Sequence, residues 1–186
     1  MAQAQKLPHR LSPEEYLEGE KSADERHEYV DGILYAMSGT TEAHSDIALN
    51  LAMWLGARLP AGCRLFNGSV KLVTKPSVDA SYYYPDLFVS CGPRAPKEYV
   101  RRDAVLVIEV LSPSTERIDR GEKFHAYTAM PSMLEYMLVS QDGAHVEVFR
   151  RQNAWVRETY ALDDLVELTS LQQNLPVSEI YRDLPL

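Results

Sequence analysis

Ala104-Val-Leu-Val-Ile-Glu-Val110 is the stretch whose reading decides the fold. Six of its seven residues are apolar, most of them β-branched, and the seventh is the carboxylate of Glu109. A continuous apolar run of this length reads as a strand covered on both faces. In such a strand Glu109 has no water to turn to, and an isolated ionised carboxylate in a dry core is very costly. A metal ion, a Lys or Arg partner, or a raised pKa must compensate it. A structural ion pair and a functional site both satisfy the strand taken alone.

The neighbours on either side narrow the choice. Tyr82-Tyr-Tyr-Pro-Asp-Leu-Phe-Val-Ser90 reads as the preceding strand, entered at Pro85, where a missing N–H does no harm. By strand parity Asp86, Phe88 and Ser90 share one face, as do Val105, Val107 and Glu109 on the next strand. If the two strands pair across the 91–103 loop, Asp86 and Glu109 project to the same side. Beyond Ser112-Pro-Ser-Thr115, Asp119-x-x-Glu122 reads as a capping box for a helix from about residue 120 to Ala129, ended by Pro131. Lys123 and Tyr127 lie four apart on one face of that helix. A lysine in a first helical turn opposes the macrodipole, at about 0.3–1 kcal/mol when exposed, which singles Lys123 out. Two carboxylates and a lysine at one sheet surface form either a salt-bridge cluster or a site for a hard cation, Mg²⁺ or Mn²⁺, where Lys123 orients a water or neutralises a phosphoryl intermediate.

The remaining chain frames this core. Ser12-Pro-Glu-Glu15 is a capping box with Pro at the first helical position, and Tyr16 and Leu17 dock that short helix. Asp31-Gly32 between Glu28-Tyr-Val30 and Ile33-Leu-Tyr35 predicts a hairpin with Glu28 near the start of its first arm. Thr40 or Thr41 caps a helix running to about Leu59, with Ile47, Leu51, Trp54 and Leu55 in one stripe. His44 lies on that face, either as a first-turn histidine bonded to backbone or as a site residue at the sheet edge. Arg64 to Thr74 reads as strand interrupted at Asn67-Gly68, Pro76 to Ala80 as a loop, and Gly92 to Arg102 as an exposed, solvated charge cluster. Glu135-Tyr-Met-Leu-Val139 is another strand, 145–160 a hairpin, and Leu175 to Tyr181 a last short helix. The order predicts a mixed α/β (α+β) sheet domain.

Composition sets the outer bounds. The 186 residues, 45% hydrophobic and 25% charged, suit one soluble domain, 1–186, with 1–11 flexible. Cys63 and Cys91 have neither metal-ligand spacing nor a disulfide framework, which predicts a reduced, cytoplasmic protein. No leader is visible, and no run approaches the roughly 18 apolar residues of a membrane span. A net charge of −8 weighs against tight, non-specific binding to phosphate backbones without excluding nucleic acid as a substrate.

Read together, Pro85-Asp86 and the strand acid Glu109 resemble a variant PD-(D/E)XK nuclease site. The usual lysine position two residues beyond the acid holds Leu111, and one branch of that superfamily carries the lysine on the following helix. The chain resembles that branch, the Uma-type restriction endonucleases, once a domain of unknown function. The matching stretches are His27-Glu28-Tyr-Val-Asp-Gly32, His44, Tyr84-Pro85-Asp86-Leu87, Val107-Ile-Glu109-Val-Leu-Ser-Pro113, Asp119-x3-Lys123-x3-Tyr127, Glu135-Tyr136 and Leu175-Pro176. Met137 and Ser140 depart from the family pattern.

The resemblance implies a restriction-endonuclease-like αβββαβ core: a central mixed sheet flanked by helices, with an added C-terminal hairpin. It implies a divalent metal, Mg²⁺ or Mn²⁺, on Asp86, Glu109 and the carbonyl of Val110. Lys123 is then the migrated catalytic lysine, Glu28 a further ligand or base, and His44 and Tyr127 accessory positions. DNA is the implied substrate, and nucleases of this fold often pair, so a homodimer through the 145–160 hairpin is the matching assembly. Two rivals stay open: a binding or scaffolding module that keeps the fold without turnover, and a hydrolase of another phosphoester.

Overall fold

A computed structural model describes residues 10–75 and 80–185. The expectations of a flexible start at 1–11 and a loop at 76–80 fall for the most part outside the described residues.

The first helix, α1 (Pro13–Gly19), begins as its sequence dictates: the Ser12 hydroxyl accepts from the Glu15 amide and the Glu15 carboxylate accepts from the Ser12 amide. Strands β1 (His27–Val30) and β2 (Ile33–Ala36) pair through a turn with Asp31 at φ 50° and Gly32 at φ 83°. Two consecutive positive φ values are the type I′ geometry that Asp-Gly favours. Helix α2 (Glu42–Gly56), capped by Thr41, is shorter at its end than expected.

Two sheets follow where one was foreseen. The larger has the order β11-β10-β9-β8-β6-β3, built from β3 (Arg64–Asn67), β6 (Leu87–Ser90), β8 (Ala104–Leu111), β9 (Glu135–Ser140), β10 (Val146–Arg150) and β11 (Arg157–Tyr160). All neighbours are antiparallel except β8 and β9, which are parallel and therefore need a crossover connection. That crossover is helical: α3 (Glu116–Ile118) runs through a π-helical turn, Asp119–Lys123, into α4 (Phe124–Thr128). The second sheet, order β2-β1-β5-β4-β7, adds β4 (Lys71–Val73), β5 (Tyr82–Tyr83) and β7 (Val100–Arg101). A hairpin of β12 (Leu165–Leu168) and β13 (Gln173–Pro176), with α5 (Val177–Ile180), completes the chain.

The strand that opened the sequence reading lies in the middle of the large sheet and is buried along nearly its whole length. Its Leu106, Ile108 and Val110 face α2, packing with Ile47, Leu51 and Leu55. Val107 and Leu111 face the other way, toward Phe88, Tyr127 and Tyr136. Covering both faces explains the unbroken apolar run.

Several expectations are corrected. Residues 82–90 are not one strand: β5 and β6 belong to different sheets, and Tyr84 to Asp86 bridge them. Val105 does not share a face with Val107, because a register shift near Ser90 turns it toward the α2 side. The 92–102 segment is not wholly solvated: Arg101 is buried, ion-paired to Asp103 at 2.6 Å and bonded to the Ser90 hydroxyl. Cys63 and Cys91 form a disulfide, since β3 and β6 pair and bring their flanking residues together. The reduced-thiol expectation is therefore wrong for this structure. No helix among the described residues is long and apolar enough to cross a membrane.

Candidate active site

Four elements deliver polar side chains to one cleft of about 630 Å³ at the junction of the two sheets. Glu28 comes from β1, Asp86 from the bridge before β6, Glu109 from β8 and Lys123 from the end of the π-helical turn. All four were predicted from sequence, and the structure brings them together.

Glu109 is 3% exposed and fully engaged. Its Oε1 accepts from the Tyr127 hydroxyl at 2.9 Å and from Lys123 Nζ at 3.3 Å, and its Oε2 accepts from the Asp86 amide at 3.1 Å. Asp86 Oδ2 in turn accepts from the Val110 amide at 2.7 Å and lies 3.2 Å from His44 Nε2. The His44 ring is thus directed at the Asp86 carboxylate and the Val110 main chain. The histidine's amide, not its ring, is what Thr41 caps.

Lys123 Nζ lies 3.2 Å from Glu28, 3.3 Å from Glu109 and 3.4 Å from Asp119. Asp119 is the residue that the sequence reading misplaced. It is no helix cap but a buried acid, 2% exposed, inside the π-helical turn. Nor is Lys123 in a first turn, because the helix starts at Glu116. Asp119, Lys123 and Tyr127, spaced four apart, lie on one buried face of this helical segment. The i, i+4 spacing of Asp119 and Lys123 was the available signal.

The electrostatics follow from three acids around one ammonium. Burial pushes the Glu109 carboxyl well above the usual carboxylate range against the pull of Lys123, and Asp119 and Asp86 push it further. Asp119 is raised for the same first reason. Burial works against the Lys123 charge, but Glu109, Glu28 and Asp119 outweigh it and hold the ammonium well above its ordinary value. Burial likewise disfavours charged His44, and the Asp86 carboxylate with the Val110 main chain reverses that, raising its pKa.

Among the described residues no three His, Cys, Asp or Glu side chains assemble into a metal-holding group. A hard cation in this cleft would therefore draw on two carboxylates, Asp86 and Glu109, with main-chain oxygen and water completing its shell. Magnesium is commonly held by one or two carboxylates and keeps several waters, so this donor set fits it. The buried Asp119 Oδ1, 3.4 Å from Lys123 Nζ, adds a further acid beside that ammonium.

A central mixed sheet that presents two acids and a helix-borne lysine in one cleft belongs to the nuclease-like class of folds. A crystal structure titled as a "putative nuclease belonging to DUF820" from Anabaena variabilis superposes with a TM-score of 0.73 at 18% identity, over 91% of this chain and 97% of that one. The family model Uma2, described as "Putative restriction endonuclease", matches residues 13–178, and the chain belongs to this family. Two uncharacterized Synechocystis proteins are similar to it. One is 37% identical over 94% of this chain and 93% of its own, the other 30% identical over 76% and 81%.

Proposed function

We propose that the chain is a divalent-cation-dependent endonuclease that hydrolyses phosphodiester bonds in DNA. The convergence of Asp86, Glu109 and Lys123 in one open cleft carries the reading. Asp86, Glu109 and the Val110 carbonyl would hold Mg²⁺ or Mn²⁺, with Glu28 alongside. Bound there, the ion supplies an acidified water and a countercharge for the phosphoryl oxygens.

The chain's own groups do the rest. Lys123 keeps its proton because three acids face it, so it offers N–H donors to an attacking water and to the charge that develops on phosphorus. Tyr127 fixes the Glu109 carboxylate through its hydroxyl. His44 does the same for Asp86 from the other side, which limits rotation of the acid when substrate enters. Membership of the family supports nucleic acid as the substrate.

The test is relaxation of supercoiled plasmid with Mg²⁺, Mn²⁺ or EDTA. Cutting should require the cation and vanish in Asp86→Ala, Glu109→Ala and Lys123→Ala while circular dichroism stays native. Cutting that persists in Glu109→Ala from clean preparations sinks the proposal.

One observation favours a second reading, a binding module without turnover: both Glu109 oxygens already accept protein donors. Calorimetric titration with Mn²⁺ separates the two. A site that disappears in Asp86→Ala and Glu109→Ala supports the enzyme, and no binding supports the module. A panel of plasmid, single-stranded DNA and RNA then separates a DNA enzyme from a hydrolase of other phosphoesters.

A further inference from the structure

Beyond the side chains of Arg26 and Tyr84 lies a second hollow of about 590 Å³. Those two residues line both it and the cleft, so the two hollows share them as a common wall. Its interior holds Lys71 of β4, only 7% exposed. Among the described residues the Lys71 ammonium has neither a hydrogen bond nor an ion pair. Its company is aromatic, with ring centroids of Tyr84 at 5.1 Å and Tyr16 at 5.7 Å.

The acid that influences Lys71 most is already committed. Glu20 accepts from the His27 amide at 2.8 Å and the Tyr84 hydroxyl at 3.0 Å, and its second oxygen lies 3.3 Å from the His27 ring. Burial accordingly pushes the Lys71 pKa down, and Glu20 offsets this only in part. Folding does not keep a desolvated, unpaired cation for stability's sake, because an apolar side chain of similar size would cost less there. The geometry suits an anion brought from outside.

The outer lining indicates which anion. Arg102 is exposed and, among the described residues, carries no ion pair, and Tyr99 is 70% exposed. Two cations for a phosphate and a free aromatic face for a base match one nucleotide unit of a strand. The exposed acids Glu25 and Glu98 also line the hollow, as does Glu20, its side chain buried and already bonded, so the cationic part is the Lys71 ammonium at the buried end with Arg102 at the rim. We propose that the hollow seats a nucleotide of the nucleic-acid strand leaving the cleft, with its phosphate on Lys71 and Arg102 and its base on Tyr99. This rests on the nuclease reading above for the identity of the strand. Tyr84 ties the two places together: its amide donates to Glu28 at 3.0 Å and its ring faces both Lys71 and Arg26.

The experiment reads binding, not cutting. Deoxyadenosine monophosphate and inorganic phosphate are titrated calorimetrically in EDTA, and a labelled single-stranded oligonucleotide is followed by anisotropy at several salt concentrations. Lys71→Met should weaken monophosphate binding about tenfold or more and reduce the salt slope of oligonucleotide binding by about one. Its melting temperature should hold or rise, whereas a structural lysine would lower it. Arg102→Ala, at an exposed position, should weaken binding several-fold without affecting folding. Unchanged binding in both variants overturns the site, as does inorganic phosphate binding as tightly as the nucleotide. If the chain never cuts DNA yet its nucleotide binding needs Lys71, the site stands and the nuclease reading falls. If it cuts and binding ignores Lys71, the site alone falls.

Discussion

Asp86 and Glu109 hold each other through the main chain: the Glu109 carboxylate accepts the Asp86 amide at 3.1 Å, and the Asp86 carboxylate accepts the amide of Val110, the residue after Glu109, at 2.7 Å. The two acids are thus placed by backbone, not by flexible side-chain contacts. Removing one leaves a buried amide without its acceptor, which costs about 1–3 kcal/mol. Asp86→Ala should therefore lower the unfolding free energy by that amount, read as a lower urea midpoint at unchanged slope, while Asp86→Asn, which keeps an oxygen, should lose less. Both should abolish cation-dependent cutting. Equal destabilisation by the two variants would argue that the carboxylate, not the reciprocal hydrogen bonding, holds the site.

Among the described residues Lys123 is the single ammonium facing Glu28, Glu109 and Asp119. Lys123→Met leaves those buried acids uncompensated and should cost about 3–5 kcal/mol at neutral pH. Glu109 and Asp119 already have raised pKa values in the folded state, and losing the lysine raises them further. The folded protein then binds more protons than the unfolded one, so stability falls as pH rises from the ordinary carboxylate range through the raised values. Thermal melts of the variant and the parent should differ most near pH 8 and converge toward pH 5. A gap that is constant with pH would show that the lysine acts through packing alone.

Much of this site is legible in the sequence because its members sit where local rules are strong. Glu109 stands out as the one charge in a β-branched run and Glu28 follows from an Asp-Gly hairpin, whereas Asp86 was reached by a strand parity that does not apply, because it lies in the bridge before β6. Lys123 was found partly for a wrong reason, a first-turn position that it does not occupy. Asp119 was lost because Asp-x-x-Glu satisfies a capping-box pattern, and a π turn has no sequence signature to compete with it. The second sheet escaped because β4, β5 and β7 are two or three residues long, too short for a period to register. Tyr82, Tyr83 and Tyr84 read as one strand, yet each is buried by different partners as the chain crosses between sheets. The Cys63–Cys91 bridge depends on β3 lying beside β6, a long-range pairing that spacing alone does not specify.

Glu147 of β10 secures the turn that carries Lys123. Arg120, within that turn, donates to Glu147 at 2.6 Å and to Glu116 at 2.7 Å. Burial would raise the Glu147 pKa, but the Arg120 hydrogen bond and the nearby His145 outweigh it and hold the carboxyl below its ordinary value. A depressed folded pKa gives stability that is present above the unfolded value, about 4.5, and is lost as pH falls through the folded one. Glu147→Gln should cost about 1–3 kcal/mol at pH 7, and the difference should vanish in acid melts. Hydrogen exchange at 119–123 should quicken in the variant. Slow, parental exchange there would separate Glu147 from the positioning of Lys123.

The Cys63–Cys91 disulfide closes a 28-residue separation between the residue before β3 and the residue after β6. A loop of that size constrains the unfolded chain by about 3.5 kcal/mol. Reductant, or a Cys63→Ala, Cys91→Ala double variant, should lower the melting temperature correspondingly. Cutting should survive, because the bridge lies beyond Ser90 while Asp86 precedes Leu87, at the opposite end of β6. Alkylation and intact-mass measurement before and after reduction report whether the bond is present in the purified protein. Two free thiols without reductant, or a melt that reductant leaves unchanged while both thiols alkylate, would remove the disulfide from the account of this fold's stability.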